Sequence, residues 1–350
     1  MRLKNCFYTL LCLGLLTILP IACSPIHTDN KLAATEVSRV WPAAPATPRI
    51  RLVGSVATPE DMGINPSFFK RILNKITGGT PLHLVRPTGV AEWHGILYVA
   101  DPGAKSVWIL DAPSNRTIRV QHAGENPLLS PVAVTVRKDG AVFVADARAG
   151  RVFLLDHQGK FLGIAAHGDL QRPVAVAYDE HNQKLYVADA AAQKILVYDN
   201  HGKQLLAWGK HGSAQGEFNY PTYLGLRPGD PLLVTDALNF RIQAFNRQGQ
   251  FQWQFGHHGD GSGSFSSPKG VAEDSGQHIY VVDALFDTVQ IFDTSGRYLL
   301  SFGEHGAGPG QFWLPGGIFI NAQDRIFVAD SYNHRIQIFE FIHTKARQQS

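Results

Sequence analysis

Six aspartates recur along the chain, Asp101, Asp146, Asp189, Asp236, Asp283 and Asp330, at steps of 45, 43, 47, 47 and 47 residues. Carboxylates in such a series could ligate a metal or share acid–base work. A residue present in every copy, however, serves what every copy needs. The plainer expectation is that each aspartate caps backbone N–H groups where a strand ends. Arg151, Lys194, Arg241 and Arg335 each lie five residues after one of them and predict an ion pair within the copy. Asp101 and Asp283 have Ser106 and Thr288 at that place, which would leave these two carboxylates freer. His167, His211, His258 and His305 also recur, each just before a glycine. Zinc needs three or four ligands converging within about 2 Å of one point. Histidines from four separate copies are expected to stay apart, so no metal ligands and no cofactor are assigned.

The elements that must position these residues follow from the period. Each copy opens with a proline (Pro87, Pro131, Pro173, Pro221, Pro268, Pro315) and continues into a short apolar strand. A strand ending in the aspartate follows, then an alternating strand such as RVFLLD (151–156) or RIQIFE (335–340). Turns of D-x-x-G or N-x-x-G form, DHQG, DNHG, NRQG and DTSG, lead to a fourth strand and suit a tight hairpin with glycine at positive φ. Four strands per unit of this length predict an all-β, six-bladed β-propeller.

Two copies, VTDALNFRIQAF (234–245) and FVADSYNHRIQIF (327–339), with Gly-rich segments such as WGKHGSAQGEF, resemble NHL repeats. The resemblance covers about three quarters of the chain, and copies 1, 2, 3 and 5 lack the full Asn-x-Arg element. Copy 6 stops after its third strand, and the alternating residues 50–56 are expected to supply the fourth and close the ring. The propeller is assigned to residues 49–343, with a closing strand at 49–57 and repeats over about 80–341. An amphipathic helix is expected at 65–77: Asn65 caps, Pro66 starts it, and Phe68, Ile72 and Ile76 share a face. It reads as packed on the propeller or as a basic contact surface for a membrane or partner.

Arg2 and Lys4 precede an apolar run from Phe7 to Ala22, the pattern of an export signal. Leu19-Pro20-Ile21-Ala22-Cys23 resembles a bacterial lipobox, which implies a signal peptide at 1–22 and an acylated Cys23 carrying palmitate-type chains. The resemblance further implies an exported lipoprotein held in a membrane, with Ser24 pointing to the outer membrane of a Gram-negative host. Residues 23–48, rich in Pro, Ala and Thr, read as a flexible tether. All three cysteines lie at or before position 23, so the repeats hold no disulfide or thiol nucleophile. Residues 1–22 carry two basic and no acidic side chains, so their removal takes the formal charge from +3 to +1. A near-neutral domain lacks the basic footprint of a nucleic-acid binder.

Departures from the repeat are the better functional clues. Arg86, Arg172 and Tyr220 precede their prolines, Lys269 follows one, and Tyr223 fills a slot held elsewhere by Gly or Ala. The cations come from copies one, three and five and could surround the channel mouth and favour an anionic ligand; the competing reading is unrelated solvated side chains. No catalytic residue is nominated. NHL propellers are often interaction platforms, which implies a monomeric, non-enzymatic platform for an envelope protein, a peptide or a small anionic ligand. The alternative is a metal-assisted lyase or hydrolase in the channel mouth, similar to the peptide-amidating lyases.

Overall fold

A computed structural model describes residues 39–65, 82–227, 229 and 231–342. The chain folds as a six-bladed β-propeller. The inner strands of blades one to five are Gly89–Trp93, Pro131–Val136, Pro173–Asp179, Pro221–Gly225 and Pro268–Glu273. Each is followed outward by three antiparallel strands, as in blade four, Leu232–Asp236, Arg241–Phe245 and Phe251–Phe255. The second and third strands of blade four are buried at every position on both faces, as strands covered by a blade on each side must be. Tight turns follow the third strands, with Gly159, Gly202, Gly249 and Gly296 all near φ +80°, where only glycine is unstrained.

Blade six is built from both ends of the chain. Ile318–Ile320, Arg325–Asp330 and Arg335–Phe341 are completed by Ile50–Val56, paired from Ile50 opposite Phe341 to Val56 opposite Ile336 with a register shift between Leu52 and Gly54. Closure removes the free edges that an open sheet would present. The blade also has a fifth strand. Residues 39–48, expected as the end of the tether, carry Val40–Trp41, which pairs with Arg51 and Ile50. Trp41 packs 5.9 Å from Phe302 and 5.8 Å from Phe339, and Arg39 pairs with Glu304 and donates to Pro309 O. The apolar ring of Trp41 thereby leaves water, which is why this stretch is held.

The signal segment 1–22, Cys23, the rest of the tether and helix positions 66–77 lie outside the described residues. The chain reaches that last stretch through a 3-10 turn, Pro59–Met62, after which Asn65 bonds Asn115 Oδ1 at 2.8 Å.

Blades are glued by aromatic wedges from the Gly-rich connections. Phe218, Phe265 and Phe312 are fully buried and lie 5.7, 5.5 and 5.7 Å from Phe245, Phe292 and Phe339 of the following blade. A Cβ at Gly303, which has φ +90°, would stand 2.4 Å from the Phe312 ring. Glycine there is a packing requirement as well as a conformational one. The connections between blades and the turns after each second strand share one face, here called the top.

Candidate ligand site at the channel mouth

The six repeated aspartates hold up this face. All are fully buried, and in four blades they grip the chain just before its proline. Asp101 accepts from the backbone N–H groups of Val85, Arg86 and Ala104 at 2.7, 2.9 and 3.0 Å. Asp146, Asp189 and Asp283 repeat the arrangement on Leu129–Ser130, Gln171–Arg172 and Ser266–Ser267. Asp101 and Asp283, expected to be the freer carboxylates, are therefore as fully engaged as the rest.

The predicted ion pairs form in two blades, Arg241–Asp236 and Arg335–Asp330, each at 2.8 Å. Arg151 instead donates to Asn126 Oδ1, at 2.9 Å, because the short hairpin of His122–Ala123 and Asn126–Pro127 brings that amide alongside. In the two blades with the full motif, the residue before the proline is served by the preceding blade. Tyr220 N donates to Gln193 Oε1 at 2.7 Å and Leu314 N to Asp287 Oδ1 at 2.6 Å. Both residues adopt positive φ, +65° and +46°, a costly conformation for bulky side chains.

These connections frame a top cavity of about 430 Å³ lined by Arg86, Lys269 and Tyr223, with Thr88, Thr222 and Ser331 on its wall. No carboxylate lines it. The Arg86 and Lys269 side chains have no hydrogen-bond or ion-pair partner among the described residues, although Arg86 is anchored through its backbone. Burial pulls the Lys269 amine below its ordinary pKa, with the negative charge of Asp283 opposing. Two cations without a directly bonded counter-charge leave a positive mouth that an anion would neutralise.

Tyr223 forms the floor. Its hydroxyl crosses the axis, donating to Ile318 O at 2.8 Å and accepting from Ile318 N at 3.2 Å. Burial pushes its pKa up to about 12, so the phenol stays a donor near neutrality. The crossing fits because blade six has Gly317 there, where a Cβ would stand 3.0 Å from the Tyr223 hydroxyl. Arg172 and Tyr220 are not brought to this cavity. The Arg172 guanidinium lies over the Tyr220 ring at 5.8 Å, outside the lining.

A second cavity of about 640 Å³ lies below Tyr223 at the other end of the channel. Its lining, unlike that of the top cavity, carries carboxylates, Glu92 and Glu273; Asn321 Nδ2 donates to Glu92 Oε2 at 3.0 Å, and Arg227 lies 3.7 Å from Asp324. That contrast singles out the top. Of the four recurring histidines, His211, His258 and His305 sit in irregular bridges opposite Phe218, Phe265 and Phe312. No set of three or more His, Cys, Asp or Glu side chains suited to a metal occurs among the described residues. His305 Nδ1 lies 2.7 Å from Asp287 Oδ2, a pairing that sequence reasoning missed.

Also missed was an exposed apolar arc beside the mouth: Leu238, Leu285, Trp313 and Tyr332, with Leu285 61% exposed. Trp313 could have been found as a departure from the repeat, since Asn219 and Ser266 follow the equivalent phenylalanines.

The family described as a 6-bladed beta-propeller (DUF5128) matches residues 270–346. No curated protein matches the sequence. Among solved structures, virginiamycin B lyase from Staphylococcus aureus is 15% identical, with a TM-score of 0.56 over 75% of this chain and 98% of its own. A structural genomics protein of unknown function from Bacteroides thetaiotaomicron is 17% identical, with a TM-score of 0.58 over 74% of this chain and 70% of its own. A propeller in a nidogen/laminin complex is 16% identical, with a TM-score of 0.54 over 71% of this chain and 87% of its own. At such identities the likeness is one of fold, which carries many activities.

Proposed function

We propose that this propeller is a non-enzymatic binding platform of the bacterial envelope, which receives an anionic group of a small ligand, peptide or protein in its top cavity. The observation that carries this reading is the pair of unpartnered cations, Arg86 and Lys269, in a cavity without a carboxylate. The apolar arc of Leu238, Leu285, Trp313 and Tyr332 offers area beside that charge, a combination typical of interaction surfaces. Tyr223 closes the site from below. The nidogen/laminin complex supports a binding use of the scaffold, and virginiamycin B lyase supports the lyase alternative. The platform is favoured by the unpartnered cations of the top cavity.

Thermal unfolding with sulfate and citrate tests the reading. An anion at about a hundred times its Kd should stabilise the protein by about 2.7 kcal/mol, a rise of several degrees. Arg86→Gln and Lys269→Met should each flatten the response. Equal shifts in wild type and both variants, or none in any, would remove the cavity from the proposal.

The anchoring half of the reading rests on the Ala22-Cys23 junction. Acylation at Cys23 would hold the domain in a membrane, since two or more chains bind firmly where one binds marginally. Cys23→Ala should leave a folded propeller in the soluble fraction of broken cells. A variant that still needs detergent for release would overturn this anchor.

A further inference from the structure

Lys269 differs from an ordinary anion-binding lysine in where it is held. It rises from the inner strand of blade five at a level where other blades carry Thr88, Val132, Val174, Thr222 and Gly316. Its stem is therefore walled by small neighbours, while its amine faces a cavity of about 430 Å³. No carboxylate or hydrogen-bond acceptor among the described residues holds the amine. What sets it apart is its burial in the cavity wall, since Lys210, which pairs with Glu217 at 3.1 Å, keeps a side chain 76% exposed. An amine that is half-buried, unpaired and facing a cavity has the placement of a nucleophile toward carbonyl carbon. Arg86, in the same cavity, supplies a planar donor for a carboxylate.

We infer that Lys269 reversibly captures a carbonyl group, and that the cavity takes a small carboxylate that also bears an aldehyde or ketone. This inference rests on the anion-site reading and adds a covalent step to it. The neutral amine attacks the carbonyl carbon, a C–N bond forms, and the carbonyl electrons move to oxygen. After proton transfer from nitrogen to oxygen the carbinolamine loses water, leaving a C=N bond to Lys269. The two hydrogens of that water are those of the amine, no oxidant or reductant takes part, and hydrolysis runs the same steps backward. The lowered pKa of Lys269 acts in the same direction, since it enlarges the neutral fraction near neutral pH.

Borohydride reduction of the full-length protein with glyoxylate at neutral pH, followed by peptide mapping, tests the step. The hydride would fix the imine as a carboxymethyl group on nitrogen. The label is expected on Lys269, with exposed lysines such as Lys210 largely unmodified. It should be suppressed by excess sulfate and lost in Lys269→Met, whose circular dichroism checks the fold. Arg86→Gln should reduce labelling by glyoxylate severalfold while leaving labelling by acetaldehyde at the wild-type level. Label spread over lysines in proportion to their exposure, or undiminished in Lys269→Met, would overturn the inference. Thermal shifts by sulfate are read on the same wild-type protein. A sulfate shift without trapping sinks the imine alone, whereas loss of both sinks the anion site too.

Discussion

At the scale of single residues, the mouth is governed by which charges have partners. Asp236 and Asp330 show the paired extreme. Arg241 is itself buried and donates to Asp236, Ser213 O, Gln254, Ala214 O and Glu217 O. A buried pair satisfied in this way serves the fold, and removing one partner strands the other. Lys269 shows the opposite extreme, and its pH behaviour follows. Its folded pKa is depressed by burial, so folding favours the neutral amine. The free protein therefore gains stability as pH rises through the depressed folded pKa toward the ordinary lysine value. Anion binding needs the charged amine and runs the other way, weakening as pH rises through that depressed pKa. Sulfate, which does not titrate in this range, should lose affinity for wild type before ordinary lysines deprotonate. Lys269→Arg, with a guanidinium charged throughout, should hold a flat profile over the same range. Calorimetric titration against pH compares the two directly, and coincident profiles would show that Lys269 does not contribute to the site.

At the scale of elements, much was legible because the repeat has a physical cause: every blade needs the same four strands, the same turn glycine and the same buried carboxylate. What escaped is non-local. The link from Tyr223 to Ile318 spans 95 positions, so only the closed ring brings the phenol to blade six. Arg151 has the spacing of Arg241, yet meets Asn126, because the connection before its blade is a hairpin rather than a Gly-rich segment. Val40–Trp41 hides in a Pro- and Ala-rich stretch, since two residues carry no periodicity. The Gly-rich segments repay the closest test. Phe312 lies between Phe302 and Phe339 at 6.4 and 5.7 Å, so Phe312→Ala should cost about 3–5 kcal/mol. Leu285→Ala, on the exposed arc, should change stability by less than about 0.5 kcal/mol while weakening any partner that uses that arc. Urea midpoints separate the two, and similar midpoints would mean that the aromatic wedge does not hold blades five and six together.

At the scale of the whole molecule, stability depends on joining residues about 290 positions apart, as the hydrogen bond from Arg51 to Glu340 illustrates. The two N-terminal strands of blade six contribute unequally to that closure. Val40–Trp41 adds the packing of one partly exposed tryptophan, about 1.5–3 kcal/mol by the scale for large apolar side chains. The Arg39–Glu304 pair is substantially solvated and adds less than about 1 kcal/mol. Ile50–Val56 adds far more: it buries Ile50 and Val56 completely and covers Ile336, Ile338 and Phe339 of the third strand. A chain beginning at residue 39 should therefore unfold like the longer protein. One beginning at 49 should lose roughly 2–3 kcal/mol, because it lacks the outermost strand. One beginning at 58 should lose cooperative unfolding and self-associate through the bared edge of Arg335–Phe341. Denaturant unfolding with sedimentation across the three truncations distinguishes these outcomes. A monomeric, cooperatively unfolding protein beginning at 58 would show that the ring does not need its N-terminal strand. Arg86 and Lys269 would then owe their shared cavity to the contacts between blades alone.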